Sequence, residues 1–394
     1  MCQAGTASGI DASAEVSVPR SREGVVSVTV LFCILGWLLG WAALGRLRRV
    51  GQLPTGADRG AGCTVVIPAR NEESSIRNLL SDLTSDPGLS EALIVVVDDH
   101  STDRTGEIAR SFGRVQVVEA PALPESWTGK SWACHVGVQA TRDRHHSSLV
   151  FLDADVRVAP GALGRLRREQ ARVGGLVSVQ PWHVTRRWYE QLSALFNVIA
   201  VMGTGTGDGH RATGAFGPVM VTTYDEYDRI GGHASVRSEV VEDLALAARF
   251  RSWQLPVSVL AGGRDLRFRM YPDGPQQLSE GWTKNFALGA GSTPPLRLGA
   301  IVLWVTAAGS AALAVVGLQG ELSIPWAVGL YGSFVAQLEV MFRKVGRFRA
   351  WTSVLYPVGL VFFVAIFVRS LWRVHIRHSV TWRGRSIPTV RQRG

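Results

Sequence analysis

From Val25 to Leu44 the chain runs apolar without a charge, long enough as a helix for the roughly 30 Å hydrocarbon core of a bilayer. From Gly62 to about Gly289 the pattern changes to short apolar runs alternating with helix-spaced stretches, as expected of parallel strands joined by crossover helices. Thr64 to Ile67 reads as a first strand stopped by Pro68. Glu72 to Leu83 then carries Ile76, Leu79, Leu80 and Leu83 at helical spacing. Leu93 to Asp98 is the next strand, Ser101-Thr-Asp-Arg opens a helix ending near Gly113, and Val115–Val118 and Leu149–Leu152 read as further central strands. Apolar stretches return at Leu298–Leu318, Leu322–Phe342 and Trp351–Trp372. The expected organisation is a tail over 1–24, a transmembrane helix over 25–45, an α/β domain over 60–290, three candidate membrane segments over 297–372 and a basic tail over 373–394.

Charge sharpens this picture. The net charge of +10 is concentrated between Arg343 and Arg393, which holds eleven Lys and Arg and no Asp or Glu, so the rest of the chain is close to neutral. Basic residues beside apolar segments suit anionic lipid headgroups rather than nucleic acid. Cys2, Cys33, Cys63 and Cys134 have no paired spacing, so neither a zinc site nor a disulfide framework follows from them. Arg46, Arg48 and Arg49 outweigh Arg20 and Arg22 across the first span and put the α/β domain in the cytoplasm. Four spans would send the tail outside, whereas six arginines after Trp372 favour the inside. A break at Pro357 and Gly359 into a re-entrant hairpin, or an interfacial second segment, would reconcile the two.

Acidic pairs occur in order at Asp98-Asp99, Asp153-Ala154-Asp155 and Glu242-Asp243. The first two close apolar runs, which sets their carboxylates at the carboxyl edge of a parallel sheet, where open α/β folds bind ligands. Clustered carboxylates repel one another unless a cation or hydrogen bonds compensate. A divalent metal holding the diphosphate of a nucleotide-sugar donor answers that need, Mg²⁺ or Mn²⁺ by their preference for hard oxygen ligands. Lys130 follows Gly129 before a helix without the glycines of a Walker loop, and suits a flexible cation approaching phosphate. Trp188 to Gly203 has an apolar helical face that either packs in the domain or lies in the membrane interface. Gly203 to Gly217 reads as a mobile acceptor loop in which His210 is incidental.

VVIPARNEE, VVVDDHSTDRT, FLDADVR and VVEDLALA, in this order, resemble the successive motifs of inverting family-2 glycosyltransferases with the GT-A fold, over roughly residues 62–285. The resemblance implies an α/β, Rossmann-like, mostly parallel sheet domain, here with an N-terminal transmembrane anchor and C-terminal transmembrane helices. It assigns Asp155 as metal ligand with Asp153 supporting the ribose or the metal's waters. Asp99, with Asp98 as alternate, would meet the base or ribose; Asp103 caps the following helix. Pro68 lets the backbone pass the base and Glu72 is the contact beside it, with Arg70 and Asn71 at the same edge. Asp243 would be the general base, oriented by Glu242. The Gln-x-x-Arg-Trp signature of processive members is reduced to Trp282, which makes polymer synthesis unexpected and leaves Arg267, Arg269 or Lys284 to replace the arginine at the diphosphate.

Trp127-Thr-Gly-Lys-Ser-Trp, Glu280-Gly-Trp-Thr-Lys-Asn and Trp382-Arg-Gly-Arg further resemble the bacterial carotenoid glycosyltransferases of the diaponeurosporenoate type, whose acceptor is a carboxylate. That implies hexose transfer, from UDP-glucose, to a membrane lipid such as a carotenoid or other polyprenoid, by a multi-pass cell-membrane enzyme. A base at Asp243 tilts the expectation toward a hydroxyl, because a carboxylate acceptor is already ionised. Rival readings are a polyprenyl-phosphate sugar synthase, a hopanoid- or sphingolipid-type glycosyltransferase, and a membrane sensor of nucleotide sugars.

Overall fold

The computed structural model describes residues 22–55, 62–144, 146–205, 212–317, 322–373, 379–382 and 385–388. Most of the N-terminal and basic tails, and His210, lie outside them. Helix α1 (Arg22–Leu44) leads into an alternating series: β1 (Cys63–Ala69), α2 (Ile76–Thr84), β2 (Leu93–Asp98), α3 (Thr105–Arg110), β3 (Val115–Glu119), α4 (Gly129–Gln139), β4 (Ser148–Leu152), β5 (Val156–Val158), α5 (Ala162–Val173) and β6 (Leu176–Gln180). The order becomes mixed with β7 (Trp182–Val184), α6 (Ser193–Thr204), β8 (Val219–Thr223), α7 (Tyr224–Arg229), α8 (Glu242–Ser252), β9 (Val257–Ala261) and β10 (Leu266–Phe268). A helical module follows: α9 (Pro275–Gly291), α10 (Pro295–Val315), α11 (Ile324–Val345), β11 (Gly346–Arg347), α12 (Ala350–Val354) and α13 (Tyr356–Trp372), then the hairpin β12 (Ser379–Trp382) and β13 (Arg385–Pro388).

The main sheet has the order β3-β2-β1-β4-β8-β6-β9, parallel except for β8, which is antiparallel to both neighbours. This is the expected mostly parallel α/β architecture. Helices cover both faces, so the strands are apolar on both sides. Val65 and Ile67 pack with Leu79 and Leu80 of α2, while Val66 packs with Ala133 and Val138 of α4. β2 lies on one side of β1 and β4 on the other, so chain direction diverges at β1 and opens a crevice beyond its carboxyl end. A smaller sheet, β11-β7-β10-β5, crosses this end and pins the chain after α11 to the α/β domain through β7.

In the helical module, α1 packs along α10. Gly36 and Gly40 are four residues apart on the contact face: a Cβ on Gly36 would sit 2.2 Å from Ala307 Cβ, and one on Gly40 2.4 Å from Trp304 Cδ1. This small-xxx-small pairing lets helix backbones approach closely. Among the described helices α10 alone is long and apolar enough to cross a membrane by length and composition, while Val28–Leu44 and α13 are shorter apolar helices. Of the four spans expected from the sequence, one meets this test. The stretch Trp351–Trp372 is not one helix but α12 and α13, separated at Leu355. Helix α6 is buried nearly all round between the α/β domain and the module, so it is a core helix and not an interfacial one; Trp188 ahead of it is exposed.

Candidate active site

The carboxyl ends of β1, β2 and β4 deliver the first acidic residues. After β2 the chain turns sharply: Asp98 Oδ1 accepts the Ser101 N–H at 3.0 Å, which commits Asp98 to the turn and away from the crevice. Asp99 faces inward. Its N–H donates to Ala69 O at 2.8 Å, and Arg70 Nη1 donates to its carbonyl at 2.9 Å and approaches Oδ2 at 3.4 Å. Asp103 Oδ1 accepts the Thr105 N–H at 2.9 Å, a turn just ahead of α3, whose cap position is Arg104 and not the expected Asp103. Pro68, Arg70, Asn71 and Glu72 line the crevice beside Asp99, with Glu72 Oε2 accepting from Ser75 Oγ at 2.9 Å. Asn71 and His100 both hold positive φ, 53° and 54°, in the two turns that meet here.

Asp153 and Asp155 follow β4. The Asp153 N–H donates to Pro218 O at 2.9 Å, so the strand preceding α8 is drawn against the end of β4. That contact brings the third acidic pair to the other two. Lys130 bridges them: its Nζ lies 2.7 Å from Asp153 Oδ1 and 3.1 Å from Glu242 Oε1. Burial alone would lower the Lys130 pKa, but these two carboxylates raise it well above the ordinary lysine value. The turn presenting Lys130 is held by Trp127 edge-on to Trp132 at 5.0 Å, with Trp132 Nε1 donating to Pro121 O at 2.9 Å.

Glu242 and Asp243 open α8, where the helix dipole favours carboxylates. Both Asp243 oxygens accept backbone N–H groups, Oδ2 from Gly217 at 2.7 Å and Oδ1 from Leu244 at 2.8 Å. Burial, then the adjacent Glu242, nevertheless push Asp243 up to about 6. Glu242 moves the other way: against burial, Lys130 and Lys284 hold it below the usual carboxylate value. Lys284, on α9, is lowered by burial in spite of Glu242. The two neighbours thus differ as an acid–base pair in one site must, with only Asp243 titrating close to neutrality.

These residues share one cavity of about 1200 Å³, lined by Pro68, Glu72, Asp99, Lys130, Asp153, Asp155, Glu242, Asp243, Trp282 and Lys284. Every site residue expected from the sequence except Asp98 is therefore in it. Trp282 is also a packing residue, stacked on Phe196 at 4.8 Å with its indole N–H donating to Ser193 Oγ at 3.0 Å. Of the arginine replacements, Arg269 is committed to the buried Glu190 at 2.5 Å, while Arg267 is exposed on the cavity wall. Two contributors have only faint sequence signals. Tyr271 lines the cavity at φ 56°, where a bulky side chain is rare, and Gly217 is packed between Lys130 and Asp243.

Among the described residues no three His, Cys, Asp or Glu side chains converge as a complete metal cage. That donor set still fits Mg²⁺ or Mn²⁺ held by one carboxylate together with phosphate oxygens and waters. Asp155 lines the cavity near Asp153, which meets Lys130.

Residues 64–244 match the family model described as glycosyl transferase family 2. Over 335 residues, 82% of this chain and 87% of the relative, the sequence is 38% identical to 4,4'-diaponeurosporenoate glycosyltransferase of Staphylococcus aureus. The fold is similar to that of the mannosyltransferase PcManGT of Pyrobaculum calidifontis, solved with GDP-Man and Mn²⁺, at TM-score 0.54 and 19% identity, covering 89% of this chain and 99% of that one.

Proposed function

Because the chain belongs to glycosyltransferase family 2 and has a GT-A-like fold, we propose that it moves a hexose from UDP-glucose to a carotenoid-type lipid with inversion at the anomeric carbon. The observation that carries this reading is the form of the cavity: strand-end carboxylates at one end, and at the other the apolar residues Leu298, Ile301, Val305 and Phe363 of α10 and α13. A donor and a lipid fit one void of that shape.

In the transfer, the acceptor oxygen attacks the anomeric carbon as the bond from that carbon to the diphosphate breaks. UDP leaves with the electron pair. Asp243 takes the acceptor's proton, and the two backbone N–H groups on its oxygens keep it aimed. Asp99 and Glu72 receive the nucleoside and Lys130 turns from the carboxylates to the phosphates; Asp155 would hold a divalent cation, which would supply neutralisation of charge on the departing diphosphate. Glu242, left without Lys130 during that turn, keeps Lys284 as its cation. A hydroxyl acceptor makes full use of Asp243. A carboxylate acceptor, as in the name of the Staphylococcus relative, would instead use Lys284 as its counter-ion, and mild alkaline hydrolysis of the product separates the two because only a sugar ester releases its sugar.

The membrane arrangement we propose has α10, the helix that meets the length and composition test, spanning together with α1 and α11 packed against it, and α12–α13 re-entrant. Gly346 starts at the α/β domain, paired with His183 of β7. The chain then travels outward until Tyr331 donates to Val354 O and Tyr356 donates to Ala308 O at 2.9 Å, roughly 20 Å along α10 at 1.5 Å per residue. Helix α13 turns back, and Ser370 donates to Thr283 O on α9. β12 also lies against α9. This keeps the arginine-rich tail on the catalytic side, the cytoplasm, and so meets the charge rule that four spans would break.

The test is purified full-length protein in lipid vesicles with UDP-glucose, Mn²⁺ and extracted carotenoids, its products read by mass spectrometry. A hexosyl lipid without phosphate is expected. A phosphodiester-linked sugar would make it a polyprenyl-phosphate synthase, and UDP-glucose binding with no transfer to any lipid would favour a sensor.

A further inference from the structure

The cavity continues past the acidic residues. Beyond Phe286 of α9 it becomes an arm between α10 and α13, with Ile301 and Phe363 buried on its inner wall. On its outer rim Val302 and Val364 are 54% and 46% exposed. A void bounded by half-exposed valines on two facing helices is open to the side. The helices run antiparallel, so the arm follows α10 from Leu298 to Thr306, roughly 12 Å of helix rise. Farther out they close, with Tyr356 donating to Ala308 O at 2.9 Å.

The chemistry of the arm narrows what it can hold. Its one hydroxyl, Thr306, already donates to Val302 O at 2.8 Å. It therefore offers no donor to a phosphate and only a single acceptor oxygen to a sugar, and either group would lose most of its hydrogen bonds to water on entry. Hydrocarbon carries no such penalty. Because bilayer tails are as apolar as the arm, transfer between them gains little from the hydrophobic effect, and selection must come from packing and width.

We propose, resting on the lipid-acceptor reading above, that this arm is the slot for the acceptor's single long apolar chain. The chain enters sideways from the bilayer between Val302 and Val364, and its nucleophilic end is delivered to Asp243. Ile301 and Phe363 are then specificity-determining residues that read chain thickness.

The experiment compares Val302→Trp and Val364→Trp with the parent, as full-length protein in vesicles supplied with UDP-glucose and Mn²⁺. Two acceptors are used: a long-chain carotenoid that the parent glycosylates, and a truncated analogue with the same end group and too few carbons to reach Val302. Leu313→Trp, on an exposed position near the outer end of α10, is the control for a bulky ring in the module, and UDP binding by calorimetry verifies the fold. Transfer to the long chain should fall about tenfold, through KM, in both rim variants, whereas the truncated acceptor should change by less than about threefold. Equal loss on both acceptors, or unchanged transfer to the long chain, overturns the slot while leaving the lipid glycosyltransferase intact. If a rim variant loses UDP binding, Val302→Phe replaces it under the same criteria. Failure of the parent to glycosylate any lipid overturns the reading on which the slot rests.

Discussion

The backbone N–H of Gly217 donates to Asp243 Oδ2 at 2.7 Å, and a Cβ at 217 would lie only 3.1 Å from that oxygen and 2.9 Å from Lys130 Nζ. Gly217 therefore sets the spacing between the proposed base and the cation that ties it to the donor side. Gly217→Ala should lower kcat by about tenfold, the scale of loss that small misplacements in a catalytic site produce, with UDP affinity reduced less. Parallel loss of kcat and thermal stability would instead mark the glycine as structural.

Asp243 must be ionised to accept a proton, and burial together with Glu242 pushes it up to about 6. Because this pKa is raised, the protonated, inactive form accumulates as pH falls below about 6. The expected kcat/KM profile is level above neutrality and drops about tenfold per pH unit on the acid side. Glu242→Gln removes the second cause of the shift and should move that limb to lower pH. Asp243→Asn should reduce transfer by about 10² to 10⁴ with donor binding retained; a flat profile in the parent enzyme rules out this role.

Asp155 is expected to hold the divalent cation with the diphosphate. Chelation should abolish transfer and Mn²⁺ should restore it, while Asp155→Asn weakens Mn²⁺-dependent UDP binding, read by Mn²⁺ electron spin resonance, and leaves the circular dichroism spectrum unchanged. If the variant still bound Mn²⁺ and UDP as tightly as its parent, the ligand would have to be sought elsewhere in the cavity.

Gly40 has no room for a side chain against Trp304, the approach being 2.4 Å for a Cβ alone. Gly40→Leu should force α1 away from α10 and destabilise the detergent-solubilised protein by about 1–3 kcal/mol, the usual cost of overpacking. Thermal unfolding followed by tryptophan fluorescence gives the direct measure, and a midpoint equal to the parent's would show that α1 can dock in another way.

Much of the site is readable from residue order because it is made of strand ends. Where an apolar run stops at Asp98-Asp99 or at Asp153, the carboxylate must emerge at the sheet edge, and its neighbours in the crevice follow from β-strand pairing. The sequence does not say which member of a pair points inward: Asp98 turns to the Ser101 N–H and Asp99 to the cavity because of the backbone reversal at His100, φ 54°. Nor does local pattern reveal long-range partners. Gly217 matters because β8 is antiparallel to β4 and brings Pro218 to Asp153, a pairing across 65 residues with no periodic signal. Among the helices, the apolar stretches were legible to within a few residues at each end, but the position of the break in the last one was not. Pro357 was a visible breaker, yet the break falls just before Tyr356, which its hydrogen bond to Ala308 O fixes in place. The Gly36–Gly40 spacing was a readable packing signal, whose partner face on α10 only the tertiary structure reveals.

The proposed side opening between α10 and α13 would also decide where the product goes. In the proposed arrangement α12–α13 leaves and returns on the catalytic side, so the gap between α13 and α10 would face only the nearer leaflet, and a glycosylated lipid would back out there with its new hydroxyls already at the water. To reach the opposite surface the sugar would have to cross the hydrocarbon stripped of its hydrogen bonds, several kcal/mol for each unsatisfied group. On that proposal synthesis and surface display would be separate events, and a cell that presents the sugar outside would need a second machine to turn the lipid over.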